Sequence, residues 1–322
     1  MSADSLDAFP YEISAQLSNE AMRRHYWVTA IGLQAVDGLE VSPYLRELAQ
    51  GYEHGRYTLR ETGELIRAYH GCDNGEASPR KADAETSPSA ASSAQTALPS
   101  EQNDRRATAE ADLVSQRIAE MLEAGSFTFA PAMLPLIHQT LFQDLDAAIY
   151  QPGQYKTERL VKQEDILNGD SVLYADPTMI QPSLDYLFRE ESLQTYGTHL
   201  AEDDIARLAK FVALLWQVHP FVEGNTRTVA VFSELYLNSL GFTVGNEPFR
   251  KHGRYYRDAL VRANYRNNEA GILPERRPLE AFYENLLLAS THSLNREDLI
   301  CPELFDNPLL LKHIDPSRAL KR

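Results

Sequence analysis

Between Asp73 and Thr108 the chain carries no aromatic residue, no Val and no Ile, and a single Leu, Leu98, amid Ala, Ser, Pro, Glu and Gln. Such a stretch buries too little apolar surface to offset the entropy of ordering it, so residues 73–108 read as a flexible linker. That linker divides the 322 residues into a small unit at 13–72, a larger one at 109–292 and a C-terminal tail at 293–322. The residues beyond about 300 read as a loosely ordered tail.

Charge and composition narrow the function classes. With 46 acidic against 31 basic side chains, the formal net charge is -15, which repels a phosphate backbone and argues against a nucleic-acid partner. The first residues carry acids rather than a basic n-region, and no run approaches the ~18 apolar residues of a membrane helix. A soluble, cytoplasmic protein without a membrane partner is expected. Cys72 and Cys301 are far apart and lack metal-ligand spacing, so they read as unpaired thiols.

The fold class expected is all-α. In the small unit Ser18 can cap a helix with Met22, Tyr26, Ala30, Leu33 and Val36 on one face, stopped at Gly38. Ser42-Pro43 starts a second helix, and Thr58 with Glu61 forms a capping box for a third. Three short helices offer little core, so the unit is expected to dock on something larger. In the larger unit helical periodicity covers Leu113–Leu122, Pro131–Leu145, Ile205–Trp216, Val229–Leu240, Tyr255–Asn264 and Leu279–Leu288. Residues 153–176 differ, and short apolar stretches around Asn168-Gly169 predict a β-hairpin.

Between two of these helices lies His219-Pro220-Phe221-Val222-Glu223-Gly224-Asn225-Thr226-Arg227-Thr228. A helix beginning near Thr226 presents unpaired amides and its positive end to whatever precedes it, which makes an anion site. Gly224 admits a phosphate close to the backbone, Asn225 can donate an amide hydrogen bond, and Arg227 can engage two oxygens. Glu223 supplies a hard oxygen for Mg²⁺, and His219 has the proton affinity of a general base. Phe221 reads as a core anchor. His138, His199 and His252 lack such company and read as structural or exposed, while the cations from Arg254 to Arg266 read as salt links or a solvated face.

This segment resembles the Fic motif, H-x-F-x-[DE]-[GA]-N-[GK]-R-x-x-R, and matches it at His219, Phe221, Glu223, Gly224, Asn225 and Arg227. The resemblance implies a helical Fic domain with a hairpin flap that holds a target segment by strand addition. It implies transfer of AMP from ATP, with Mg²⁺, to a Ser, Thr or Tyr hydroxyl of a protein, and leaves open whether self-modification is among its reactions. It further implies His219 as base, Glu223 as metal ligand, Gly224, Asn225, Thr226 and Arg227 about the phosphates, and Tyr256 and Asn264 at the adenosine. Two positions depart from the motif: Thr226 replaces its Gly or Lys, and Ala230 its second Arg. Doc-type phosphoryl transfer and nucleotide binding without turnover are the alternatives; a transcriptional regulator fits the acidic chain least well.

The stretch from Leu33 to Pro43 is similar to the inhibitory helix of VbhA-type antitoxins, here fused ahead of the catalytic unit. That family places a Ser or Thr four residues before a Glu, the Glu pairing with the second motif Arg. Leu33 and Asp37 occupy those two positions. The resemblance thus implies an intramolecular antitoxin-like domain with Asp37 as its inhibitory residue.

Overall fold

The computed structural model describes residues 19–71, 99–242, 244 and 247–320. Helix α1 (Asn19–Gly32) runs into a 3-10 turn, Leu33–Asp37, which Gly38 terminates at φ 72°. The stop falls where the sequence places it, but the last turn is tighter than an α-helix, and Ser18 lies outside the described residues. Helix α2 (Pro43–Glu53) is capped by Ser42, whose Oγ accepts from Leu45 N at 3.0 Å and donates to Asp112 Oδ2 at 2.6 Å. One serine thereby ends a loop and ties it to the next unit. Helix α3 (Leu59–Tyr69) opens on the expected Thr58–Glu61 capping box.

Helix α4 (Pro99–Ala124) begins inside the stretch read as linker. Glu, Gln, Arg and Ala favour helix even where no apolar face requires it, so poverty in large apolar residues does not by itself mark the helix boundary. Residues 72–98, with Cys72, lie outside the described residues. Further along, α4 is buried at every position from Ala111 to Ala119, with Asp112, Ser115 and Arg117 bonded to protein partners.

Helices α5 (Met133–Phe142), α6 (Ala147–Tyr150), α7 (Ile180–Ser192), α8 (Glu202–Val218), α9 (Asn225–Ser239), α10 (Glu247–Asn264), α11 (Arg277–Leu287) and α12 (Pro302–Asp306) complete the α-helices among the described residues. The fold is all-α, as expected. Helix α9 lies at its centre, buried at every position from Asn225 to Leu237. Trp27, Leu33 and Val36 share one apolar core with Phe232, Tyr256 and Phe282, so the N-terminal helices complete the core of the larger unit. No helix among the described residues is long and apolar enough to cross a membrane.

The docking is backbone-close. A Cβ on Gly32 would lie 2.8 Å from Arg250 N, and one on Gly253 3.1 Å from the Ala35 Cβ. Helix α10 bends at His252, where φ is -131°, beside this contact. Gly32→Ala is therefore expected to lower stability by about 1–3 kcal/mol in denaturant unfolding. Alanine's helix propensity offsets at most about 1 kcal/mol, and the clash is with backbone that cannot rotate away.

Two expectations are corrected. Residues 153–176 reverse direction at Asn168 and Gly169, both at positive φ, but a 3-10 turn (Asp165–Leu167) precedes them and no strand forms there. Backbone bonds cross between the arms beside the turn, where Glu164 N donates to Asp170 O at 3.1 Å and Gly169 N to Glu164 O at 3.0 Å; farther out Lys156 N donates to Pro220 O at 2.8 Å and Ala175 N to Gln217 O at 3.4 Å, and Cys301 N donates to Ile166 O at 3.0 Å. A hairpin ladder needs those groups to face each other.

Nor is the tail loose through residue 320. It buries Leu299, Cys301, Leu304 and Leu311, and Asn168 Nδ2 donates to Leu304 O at 2.8 Å. Asp170 accepts from Lys312 N at 3.0 Å and from Tyr265 Oη at 2.7 Å. Burial opposes the charge of Asp170, yet hydrogen bonds from His313, Lys312 and Tyr265 hold its carboxyl below the usual range. Short Pro-led turns carry no helical period, which is why the sequence did not reveal this strap.

Candidate active site

Helix α8 ends at Val218 and His219 takes the left-handed conformation, φ 48° and ψ 59°, as its C-cap. Pro220 prevents the helix from continuing. Gly224, at φ 78°, then turns the chain into α9, whose first-turn amides have no intrahelical acceptors. The loop between is held from within. Asn225 accepts from Phe221 N at 2.9 Å and donates to Phe221 O at 2.8 Å. Phe221 anchors the loop as expected, stacked on His138 with ring centroids 3.8 Å apart.

His138 does more than fill space. Its Nδ1 accepts from Gly153 N at 3.0 Å, which leaves Nε2 to donate to Glu223 O at 3.0 Å. Burial pushes its pKa down to about 4, so the ring stays neutral.

Two of the residues expected at the phosphates also hold the loop together. The side chain of Asn225 is engaged with the Phe221 backbone, and Thr226 Oγ1 accepts from Trp216 Nε1 at 3.1 Å. Both side chains build the loop, and the helix amides remain to meet an anion. A Cβ on Gly224 would lie 2.4 Å from two atoms of the Phe142 ring, on a backbone that L side chains rarely adopt. Gly224→Ala is expected to displace the loop, with about 1–3 kcal/mol of lost stability in denaturant titration.

Tyr256 and Asn264 are not brought to this loop. Tyr256 is fully buried among Phe249, Phe282 and Tyr283, and Asn264 Nδ2 donates to Ala213 O at 3.0 Å and Leu260 O at 2.9 Å. Helix period put both on the core face of α10, where their polar groups meet protein partners.

His219 itself is buried, with Tyr174 stacked 3.9 Å away and the Trp216 edge at 5.4 Å. Its Nδ1 has no hydrogen-bond partner. Burial, then the charges of Lys156, Lys162 and Arg257, hold its pKa well below the usual histidine value. The Lys156 ammonium is buried without a hydrogen-bond partner, and burial pushes its pKa down to about 8. Three cations thus act on this imidazole inside a strongly acidic chain.

Glu223 is partly exposed and pairs with Lys162 Nζ at 2.6 Å. Burial raises its pKa, but the bond and charge of Lys162 outweigh it and leave the carboxylate ionised. Among the described residues no group of three His, Cys, Asp or Glu side chains could hold a metal. One hard carboxylate fits Mg²⁺ when nucleotide phosphates fill the remaining positions.

Arg227 is the most enclosed charge of the site. Its Nε lies 2.6 Å from Asp37 Oδ2, its NH2 2.8 Å from Glu110 Oε1, and its guanidinium carbon 4.8 Å from the Phe142 centroid. Tyr150 Oη accepts from NH2 at 3.2 Å and Gln34 Oε1 from NH1 at 3.4 Å. Asp37 reaches a second cation as well, since Arg257 NH1 lies 3.2 Å from its Oδ1 and Arg257 NH2 3.2 Å from Glu164 Oε2. Glu164 also accepts from Tyr174 Oη, the ring stacked on His219. Burial raises the Glu164 pKa to about 7 despite Arg257.

The sequence reading named His219, Glu223, Arg227 and Asp37, and the structure joins Asp37 to Arg227 and sets Glu223 against Lys162. Beside them stand Glu110 of α4 and, within residues 153–176, Lys156, Lys162, Glu164 and Tyr174, to which the sequence reading gave no role because that stretch was read only for its turn. Arg257 stood in a run read as salt links, which it forms.

No curated protein matches the chain. A family model described as Fic/DOC family matches residues 128–237. The match spans α5 to α9 with the loop from His219, and leaves Asp37, Glu110 and Arg257 outside it. Residues 128–237, carrying a histidine, a carboxylate and a helix N-terminus about one loop, thus match the Fic/DOC family, and the match supports the chain's membership of it.

Proposed function

We propose that this chain is a protein adenylyltransferase, moving AMP from ATP to a Ser, Thr or Tyr hydroxyl of a protein, and that Asp37 restrains it. The observation that carries this reading is His219: a neutral, buried imidazole with an unpartnered nitrogen, at the lip of a helix N-terminus and among Lys156, Lys162 and Arg257. A neutral imidazole accepts a proton, and the cations and amides favour polyphosphate beside it.

In the reaction, His219 takes the proton of the target hydroxyl as its oxygen attacks the α-phosphorus of ATP. The new oxygen–phosphorus bond forms as the bond to the bridging oxygen breaks, and pyrophosphate leaves with that electron pair. The α9 amides and Gly224 receive phosphate oxygens. Glu223 would hold Mg²⁺ once Lys162 releases it, and the ion, when bound, neutralises phosphate charge. Asp37 opposes all this by keeping Arg227 enclosed.

The test is intact mass spectrometry of a lysate, and of the chain itself, after incubation with ATP and Mg²⁺. An added AMP on any protein, absent with His219→Ala, is the expected result. An added phosphate instead assigns Doc-type phosphoryl transfer, and no adduct from any form, with ATP still bound, assigns a nucleotide-binding module.

A further inference from the structure

Position 230 of α9 is Ala, buried and uncharged, so the helix that carries Arg227 offers no second arginine one turn on. A second guanidinium nevertheless meets the same carboxylate. Asp37 is gripped by Arg227 through Oδ2 and by Arg257 through Oδ1, so two cations from different helices flank one anionic group. Two oxygens on one centre held by two arginines is also how a phosphate is bound.

We propose that the cleft between Arg227 and Arg257 is a polyphosphate subsite, filled in the resting chain by the Asp37 carboxylate, with Arg257 of α10 supplying the cation that position 230 lacks. This rests on the reading of the site as a nucleotide-handling centre. Three features suit Arg257 to the task. Its side chain keeps 29% of its surface exposed, whereas that of Arg227 keeps 2%. Its other edge is fixed by Glu164, which accepts from Nε at 3.3 Å and from NH2 at 3.2 Å. Departure of Asp37 therefore leaves the guanidinium positioned, with one edge free. Finally, its Glu164 partner accepts from Tyr174 Oη, whose ring is stacked 3.9 Å from that of His219, so the cation and the imidazole are joined through one residue pair.

Glu164 is then a positioning residue, and Asp37 a stand-in for the anion. The 3-10 turn makes the substitution possible, because it delivers Asp37 against α10 where Gly253 packs on Ala35.

The experiment is calorimetric titration of the full chain with inorganic tripolyphosphate, ATP and AMP at fixed ionic strength. Asp37→Ala should bind tripolyphosphate about tenfold or more tighter than the parent, since losing the internal competitor is worth at least that factor. Adding Arg257→Gln should cost about tenfold for tripolyphosphate and ATP, with AMP affinity unchanged; Arg257→Lys, which keeps a point charge without the fork, should fall between. Unfolding curves of each variant accompany the titrations, and Arg257→Lys decides the matter should Arg257→Gln fail to fold. Tripolyphosphate affinity that is indifferent to Arg257 in folded protein, or no gain with Asp37→Ala, overturns the proposal. Because tripolyphosphate carries no nucleoside and transfers nothing, the two readings fail separately. Arg257-dependent binding without AMP transfer sinks the proposed reaction alone, and transfer with Arg257-independent binding sinks the subsite alone.

Discussion

His219→Ala is expected to reduce transfer by about 10²–10⁴-fold, the range that a positioned general base contributes. Position 219 is left-handed at φ 48°, where alanine is strained by about 1–2 kcal/mol. His219→Asn is the better control, since Asn tolerates that backbone and cannot act as the base. Equal loss in both, with unfolding midpoints near the parent's, locates the defect in proton transfer; an active His219→Asn enzyme would remove the residue from its role.

The pH dependence follows from the same burial. An ordinary histidine base would lose activity as pH falls through about 6.5. Here the folded pKa lies well below that value, so the ring stays unprotonated and the acid limb of the rate profile should lie below 6.5. The sign for stability agrees: a depressed folded pKa contributes stability above the unfolded value, which is lost as pH falls below 6.5. An acid limb centred near the unperturbed value would mean that His219 is solvated during turnover.

Asp37→Ala is the second large effect, and it should move two observables in opposite directions. Removing one partner of a buried pair costs about 3–5 kcal/mol, and the lower end applies because Arg227 keeps Glu110 and Arg257 keeps Glu164. Stability in denaturant should therefore fall by about 3 kcal/mol. Transfer should rise about tenfold or more, because Arg227 and Arg257 are freed of the carboxylate they share. A residue with only a structural role would lower both, and that outcome would end the inhibitory reading. Removing residues 1–75 is a poorer probe. It would strip Trp27, Leu33 and Val36 from the shared core and expose α9 and α10, so a loss of activity could report only misfolding.

How much of this was legible in the sequence can be judged from particular residues. Ser42-Pro43, Thr58 with Glu61, and Gly38 set helix ends by local chemistry, and each acts where the sequence puts it. The loop from His219 to Thr228 was legible for the same reason, because its residues are consecutive and their spacing is their geometry. Asn225 and Thr226 show the limit of that argument. Their identities suggested phosphate contacts, yet nearby backbone and indole groups take their hydrogen bonds, and a polar side chain in a buried loop must satisfy its neighbours first.

Tyr256, Asn264 and the turn about Asn168 depended on packing that no local pattern records. The turn shows why most plainly: Glu164 and Asp170 bond across it, but farther out its arms bond to Pro220 and Gln217, so how far it pairs with itself is decided by segments remote in sequence. The sequence by itself determined the helical class, the caps and the loop from His219 to Thr228 between two helices, because those follow from propensity and adjacency. Only the tertiary structure decided which charges meet. Asp37, Glu110, Glu164, Arg227 and Arg257 come from five segments, and burial obliges them to find one another.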